Sequence, residues 1–119
     1  MASSKRELRK FGEHGPPVEV TLKVIGGKWK PLIIYHLMNG THRSGELHKK
    51  MPFVTRRMFT KHLRELETDG IVTREVYKEV PPRVEYSLTE IGKTLKKVLD
   101  SIHKWGIEYI EYLNESRSP

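Results

Sequence analysis

Apolar residues recur at helical spacing through most of the chain, and one stretch in the middle alternates instead. Val18, Leu22 and Ile25 predict a short first helix that starts after Pro16-Pro17 and breaks at Gly26-Gly27. A second helix is predicted over residues 28–39, with Trp29, Leu32, Ile33 and Leu37 as its buried stripe. Pro31 falls in its first turn, where a missing N–H costs little. Asn39-Gly40-Thr41 has the form of a glycosylation sequon but reads as the turn that ends this helix, with Gly40 at positive φ. Residues 45–51 predict a short third helix closed by Pro52. Thr55 is a good N-cap for a fourth helix over residues 56–69. Phe59, Leu63 and Leu66 form its inward stripe, and Gly70 stops it. Two strand-like runs follow, 71–78 and 83–88. The second puts Val84, Tyr86 and Leu88 on one face, and Pro81-Pro82 between the runs suits a hairpin tip.

Thr89 caps the last predicted helix. Its apolar stripe runs through Ile91, Leu95, Val98, Leu99, Ile102, Trp105, Tyr109 and Leu113. Such a helix is roughly 30 Å long or more, longer than the rest of so small a domain covers. Pairing with another chain is the expected explanation, and a helix folded back over its own core is the alternative.

These elements predict a mainly α fold with a small β-hairpin, in the order α-α-α-α-β-β-α. A short helix, a tight turn at Phe53-Val54, a longer helix and a hairpin make a winged helix-turn-helix. Residues 16–113 are expected to form the domain, with a polar arm over 1–15 and a tail over 114–119. The chain has 119 residues, enough for one core, and a homodimer is a reasonable expectation at this size.

Charge sharpens this picture. Lys and Arg number 22 against 15 Asp and Glu, a formal +7 that favours a polyanionic partner. Cysteine is absent, which excludes disulfides, thiolate nucleophiles and thiol switches. No apolar run approaches the roughly 20 residues that span a bilayer. Residues 1–14 lack the apolar region of a signal peptide, so a cytoplasmic protein is expected.

The fourth helix has two chemically different faces. Opposite its apolar stripe lie Arg56, Arg57, Thr60, Lys61 and Arg64. The first part of such a helix meets base edges in the major groove of double-stranded DNA. Arg56, Arg57, Thr60 and Lys61 are therefore the candidate base readers. Thr55 and Arg64 are candidate phosphate contacts, Arg64 being the weaker because Glu65 and Glu67 lie within reach. In the hairpin, Lys78 and Arg83 are candidate backbone contacts, and Arg74 is undecided. Arg43, Lys49 and Lys50 flank the shorter helix and can meet the backbone. A non-specific architectural DNA-binding protein and a winged helix that binds protein are the competing classes.

Other chemistry is poorly supported. The histidines at 14, 36, 42, 48, 62 and 103 are scattered and read as surface polar residues, not ligands. Gly26-Gly27-Lys28 is not a phosphate-binding loop, because Leu22 and Trp29 stand at positions that the motif reserves. No nucleophile elbow or carboxylate pair suggests an enzyme, and neither cofactor nor metal is expected. A small-molecule effector has room at a dimer interface near Trp29, Tyr35 or Trp105, but these aromatics are expected in the core and no ligand site is assigned.

Several runs carry a family resemblance. They are Pro17-Val18-Glu19, Leu22, Ile25-Gly26-Gly27-Lys28-Trp29, Arg43-x-x-Glu46-Leu47, Leu63-Arg64-Glu65-Leu66-Glu67-x-Asp69-Gly70, Trp105-Gly106 and, above all, Val80-Pro81-Pro82-Arg83-Val84-Glu85-Tyr86-Ser87-Leu88-Thr89. Over residues 16 to 112 the chain resembles HxlR-type transcriptional regulators. The resemblance implies a homodimer built by the terminal helices, here on Val18, Leu22, Leu95, Leu99, Ile102, Trp105 and Tyr109. It also implies two recognition helices in successive major grooves of an inverted-repeat operator. Three departures stand out. Pro16 occupies the place where several members carry a sensing cysteine, so thiol sensing does not transfer. Ser44 replaces a usual aromatic. Phe53 replaces a small turn residue and is expected to pack locally.

Overall fold

A computed structural model describes residues 15–117. The arm expected over 1–15 lies outside the described residues except for Gly15. The elements are α1 (Pro17–Ile25), α2 (Trp29–Leu37), β1 (His42–Arg43), α3 (Ser44–Lys49), α4 (Arg56–Thr68), β2 (Val72–Tyr77), β3 (Arg83–Leu88), α5 (Glu90–Lys93) and α6 (Lys96–Ser116). The fold is mostly helical with a small antiparallel sheet, ordered β1-β3-β2. β2 and β3 pair from Val72 opposite Leu88 to Tyr77 opposite Arg83. The unanticipated β1 adds His42 opposite Tyr86 and Arg43 opposite Glu85.

The core is built where α2, α3, α4 and the sheet meet. Ile33, Ile34, Leu47, Phe59, Leu63 and Leu66 are wholly buried. On α4 the expected stripe holds at every position. On α2 the phase differs from the expectation. Lys30, Ile33, Ile34 and Leu37 face inward, Trp29 is only half-buried, and Leu32 is exposed. A lysine at the first position of the inward face hid that spacing from a reading of apolar residues alone.

The end of α4 and the start of α5 are tied together. Gly70, at φ 79°, stops α4 as expected. The Thr89 hydroxyl accepts from the Gly92 N–H at 3.0 Å and donates to the Gly70 carbonyl at 2.6 Å. The Thr89 N–H donates to the Ile71 carbonyl at 3.0 Å. Gly92 is needed here because a Cβ on it would strike that same carbonyl.

The last helix is broken. Thr94 and Leu95 separate α5 from α6, although the apolar spacing runs through them. α6 then continues to Ser116, past the expected domain end. Leu99 is its one buried residue, and Leu95 and Val98 pack beside it on the chain's own core. Leu99, expected at an interface, is thus buried in the chain's own core, and Leu95 is half-buried against it. Beyond them Ile102, Trp105, Ile107, Tyr109, Ile110 and Tyr112 are exposed, as are Val18 and Leu22 on α1. Trp105, Tyr109 and Tyr112 stack in a ladder, with centroids 5.0 and 5.8 Å apart. Tyr35 and Trp105 are 53% and 63% exposed, which corrects their expected place in the core.

Candidate nucleic-acid interface

The helix pair α3 and α4 is joined by a turn whose geometry is held from inside. Met51 and Val54 are buried at its two ends. The ring of His48 lies 4.7 Å from that of Phe59, and its Nε2–H donates to the Val54 carbonyl at 2.8 Å. His42 is buried on β1. Its Nδ1–H donates to the Gly40 carbonyl, and its Nε2 accepts from Lys50 Nζ, both at 2.8 Å. These two histidines are structural and not surface residues, a correction that their polar surroundings in sequence concealed. Phe53, at the turn's outer edge, is 88% exposed and does not pack locally as expected. Among the described residues no group of acidic and histidine side chains is arranged to hold a metal ion. No helix among them is long and apolar enough to cross a membrane.

Thr55 caps α4 as expected, its hydroxyl accepting from the Met58 N–H at 3.1 Å. Because a helix turns once in about 3.6 residues, Arg57, Lys61 and Arg64 project directly away from the buried stripe, Thr60 lies to their side, and Arg56 stands at the edge of the stripe in the first turn. All are exposed except the half-buried Thr60. The charges are not equally available. Lys61 Nζ is 2.9 Å from Glu65 Oε2. Glu65 Oε1 is in turn 2.7 Å from Nζ of Lys30, whose side chain is 7% exposed. The hydrogen bond from Lys30 is the main reason the Glu65 carboxyl is lowered to about 2. Burial, with Lys30 close by, lowers the pKa of the neighbouring His62. Arg56, Arg57 and Arg64 have no ion pair among the described residues. The acids expected near Arg64 are engaged elsewhere, Glu65 as above and Glu67 with Arg74 at 3.3 Å. Arg64 is therefore more available than its neighbours in sequence suggested, and Arg74 less so.

The hairpin brings a second basic edge beside α4. Lys78 is exposed. Arg83 is not free. Its Nη2 is 3.1 Å from Glu79 Oε2, its Nη1 is 3.4 Å from Glu85 Oε2, and its guanidinium lies 4.0 Å over the Tyr77 ring. Arg43 is exposed at the start of α3, where its N–H donates to Glu46 at 3.1 Å. Arg43, Arg56 and Arg83 line one open groove of about 350 Å³ between the starts of α3 and α4 and the hairpin tip. Sequence reasoning missed the Lys30–Glu65 brace, the His48 clip and this groove. Only the brace left a signal, since Lys30 stands in register with Ile33, Ile34 and Leu37.

A helix-turn-helix is also what comparison with known proteins finds. The family model described as HxlR-like helix-turn-helix matches residues 24–114. The chain belongs to this family. It is 52% identical over 101 residues to the uncharacterized HTH-type transcriptional regulator YdeP of Bacillus subtilis, covering 85% of this chain and 79% of that one. An uncharacterized HTH-type regulator of Methanothermobacter thermautotrophicus is 51% identical over 92 residues, covering 77% of this chain and 70% of that one. The solved structure of the redox regulator HypR in its reduced form superposes with a TM-score of 0.79 at 51% identity, covering 84% of this chain and 99% of that one. This HxlR-family protein is thus a DNA-binding transcriptional regulator of the helix-turn-helix type. HypR is described as a redox regulator, whereas the present chain contains no cysteine and can host no thiol switch.

Proposed function

We propose that the protein is a sequence-specific regulator that binds double-stranded DNA as a homodimer on an inverted-repeat operator in the cytoplasm. The supporting observation is the exposed side of α4, where Arg56, Arg57 and Arg64 have no ion pair among the described residues, on a helix anchored by a wholly buried stripe. α4 enters the major groove. Arg56, Arg57, Thr60 and Lys61 reach base edges, and Thr55, Arg64, Arg43, Lys78 and Arg83 hold phosphates. The exposed apolar faces of α1 and α6 meet their copies in the partner protomer, through Val18, Leu22, Ile102, Trp105 and Tyr109. Half-sites then lie one helical turn apart or a multiple of it.

Selection of bound sites from a random duplex library, with sedimentation of the free protein, tests all parts together. The expected result is a palindromic site and a dimer. Binding without a preferred site points instead to an architectural protein, and absence of salt-dependent DNA binding points to a protein-binding module.

A further inference from the structure

The groove between helix pair and hairpin contains a basic cluster with an acid already in it. Arg43, Arg56 and Arg83 line it together with Glu79, Pro81 and Pro82. The guanidinium of Arg83 is fixed on three sides. Tyr77 covers one face, Glu85 holds Nη1 from within the sheet, and Glu79 holds Nη2 from the loop. Arg83 Nε is buried without a hydrogen-bond partner. The two acids differ in exposure. The Glu85 side chain is 20% exposed and Glu79 is 50% exposed, so Glu85 is the anchor and Glu79 the exchangeable partner.

We infer that this groove is a phosphodiester site and that the Glu79 carboxylate occupies it in the free protein as an internal competitor for the DNA backbone. The inference rests on the DNA-binding function proposed above. A carboxylate and a phosphate present similar paired oxygens to a guanidinium. When a duplex docks, a backbone phosphate takes the place of Glu79 on Arg83, with Arg43 on its other side. The exchange of one anion for another at Arg83 releases no counterion. The contact therefore adds little affinity and little salt dependence to the wild-type complex. It acts as a gate on docking, because the hairpin engages only a backbone that can displace Glu79.

The test compares wild type with Glu79→Gln, Glu75→Gln and the double variant Glu79→Gln with Arg83→Ala. Each is titrated with one fixed operator-length duplex and one scrambled duplex over a range of salt. Glu75 is an exposed acid on β2 with no ion pair to Arg83, so its change matches the charge but not the contact. Glu79→Gln is expected to bind both duplexes about fivefold tighter. Its log-affinity against log-salt slope should steepen by about 1.8 per dimer, roughly 0.9 for the one phosphate contact each protomer gains. Glu75→Gln is expected to change affinity less than about twofold. The gain should vanish in the double variant. Equal gains for Glu79→Gln and Glu75→Gln would reduce the effect to net charge and overturn the inference. So would a gain that survives loss of Arg83. Wild type that binds DNA with Glu79→Gln unchanged also overturns it and leaves the proposed function standing. Failure of every protein to bind any duplex removes both. Inorganic phosphate, titrated into Glu79→Gln at constant ionic strength, separates the sources of the anion. No competition with duplex is expected, and tight competition would show a free-anion site in place of a backbone contact.

Discussion

Replacing Glu65 with Gln tests the brace that holds α4 to the domain. Lys30 is almost fully buried on α2, and its Nζ lies 2.7 Å from Glu65 Oε1 on α4. Relative to an apolar pair of the same shape, a buried ion pair is often near neutral. Removing one partner is different, because the remaining charge stays buried and unpaired. The carboxyl falls from an ordinary 4.5 to about 2, mainly through the Lys30 hydrogen bond. That displacement sets a ceiling of roughly 3 kcal/mol at neutral pH. Glu65 retains 30% exposure and its second partner Lys61 is 58% exposed, so solvent screening reduces the expected loss to about 2 kcal/mol. In a domain of this size such a loss lowers the melting temperature by roughly 10 °C.

The pH dependence gives the reasoning its sign. A carboxyl lowered in the folded state contributes its full stabilisation above about 4.5 and loses it as pH falls towards about 2. Urea unfolding at constant protomer concentration, from neutral pH down to about 3, should therefore show the gap between wild type and Glu65→Gln narrowing below 4.5. The double variant Lys30→Met with Glu65→Gln should recover most of the loss, since it removes the buried charge as well. An equal loss at every pH would mean that packing, and not charge, is responsible. No loss at neutral pH would refute the brace outright.

Gly92→Ala should destabilise by about 2 kcal/mol or more, because the new Cβ meets the Ile71 carbonyl, and a thermal melt will read it. Arg57→Ala should cost about 1–3 kcal/mol on operator DNA and much less on scrambled DNA; equal losses in parallel titrations would remove it from base reading. His48→Ala should lose about 1 kcal/mol through the missing Val54 contact, and amide exchange should rise at the turn while α6 is unchanged. Trp105→Glu should produce monomers in sedimentation without lowering helix content, since Trp105 is 63% exposed in the single chain.

Much of this was legible in the residues where the physics is local. The stripe Phe59, Leu63 and Leu66 and the Thr55 cap of α4 depend on short-range spacing, and both stand where expected. The hairpin was legible because alternation and Pro81-Pro82 act within a few residues. What escaped depends on partners far along the chain. β1 is only His42 and Arg43, strand-like through pairing with β3. Neighbour rules offered Glu65 and Glu67 to Arg64, yet tertiary packing gave Glu65 to Lys30 and Glu67 to Arg74. The break at Thr94 is invisible because α5 and α6 continue one apolar spacing. Leu95 and Leu99 share a stripe with Ile102 and Trp105, and periodicity cannot say where a stripe passes from its own core to open surface.

The tie through Thr89 has a consequence for operator geometry. It joins the end of α4 to the start of the C-terminal helices by side-chain and main-chain bonds. That tie holds α4 to α5, and Leu95, Val98 and Leu99 seat the start of α6 on the same core across the break, so α4 and the base of the long helix are expected to turn together. In a dimer built on α6, the angle at which the two long helices cross becomes the angle between the two reading heads. A substitution on the aromatic ladder that tilts this crossing would change the half-site spacing that the dimer accepts, while leaving every DNA-contacting side chain untouched.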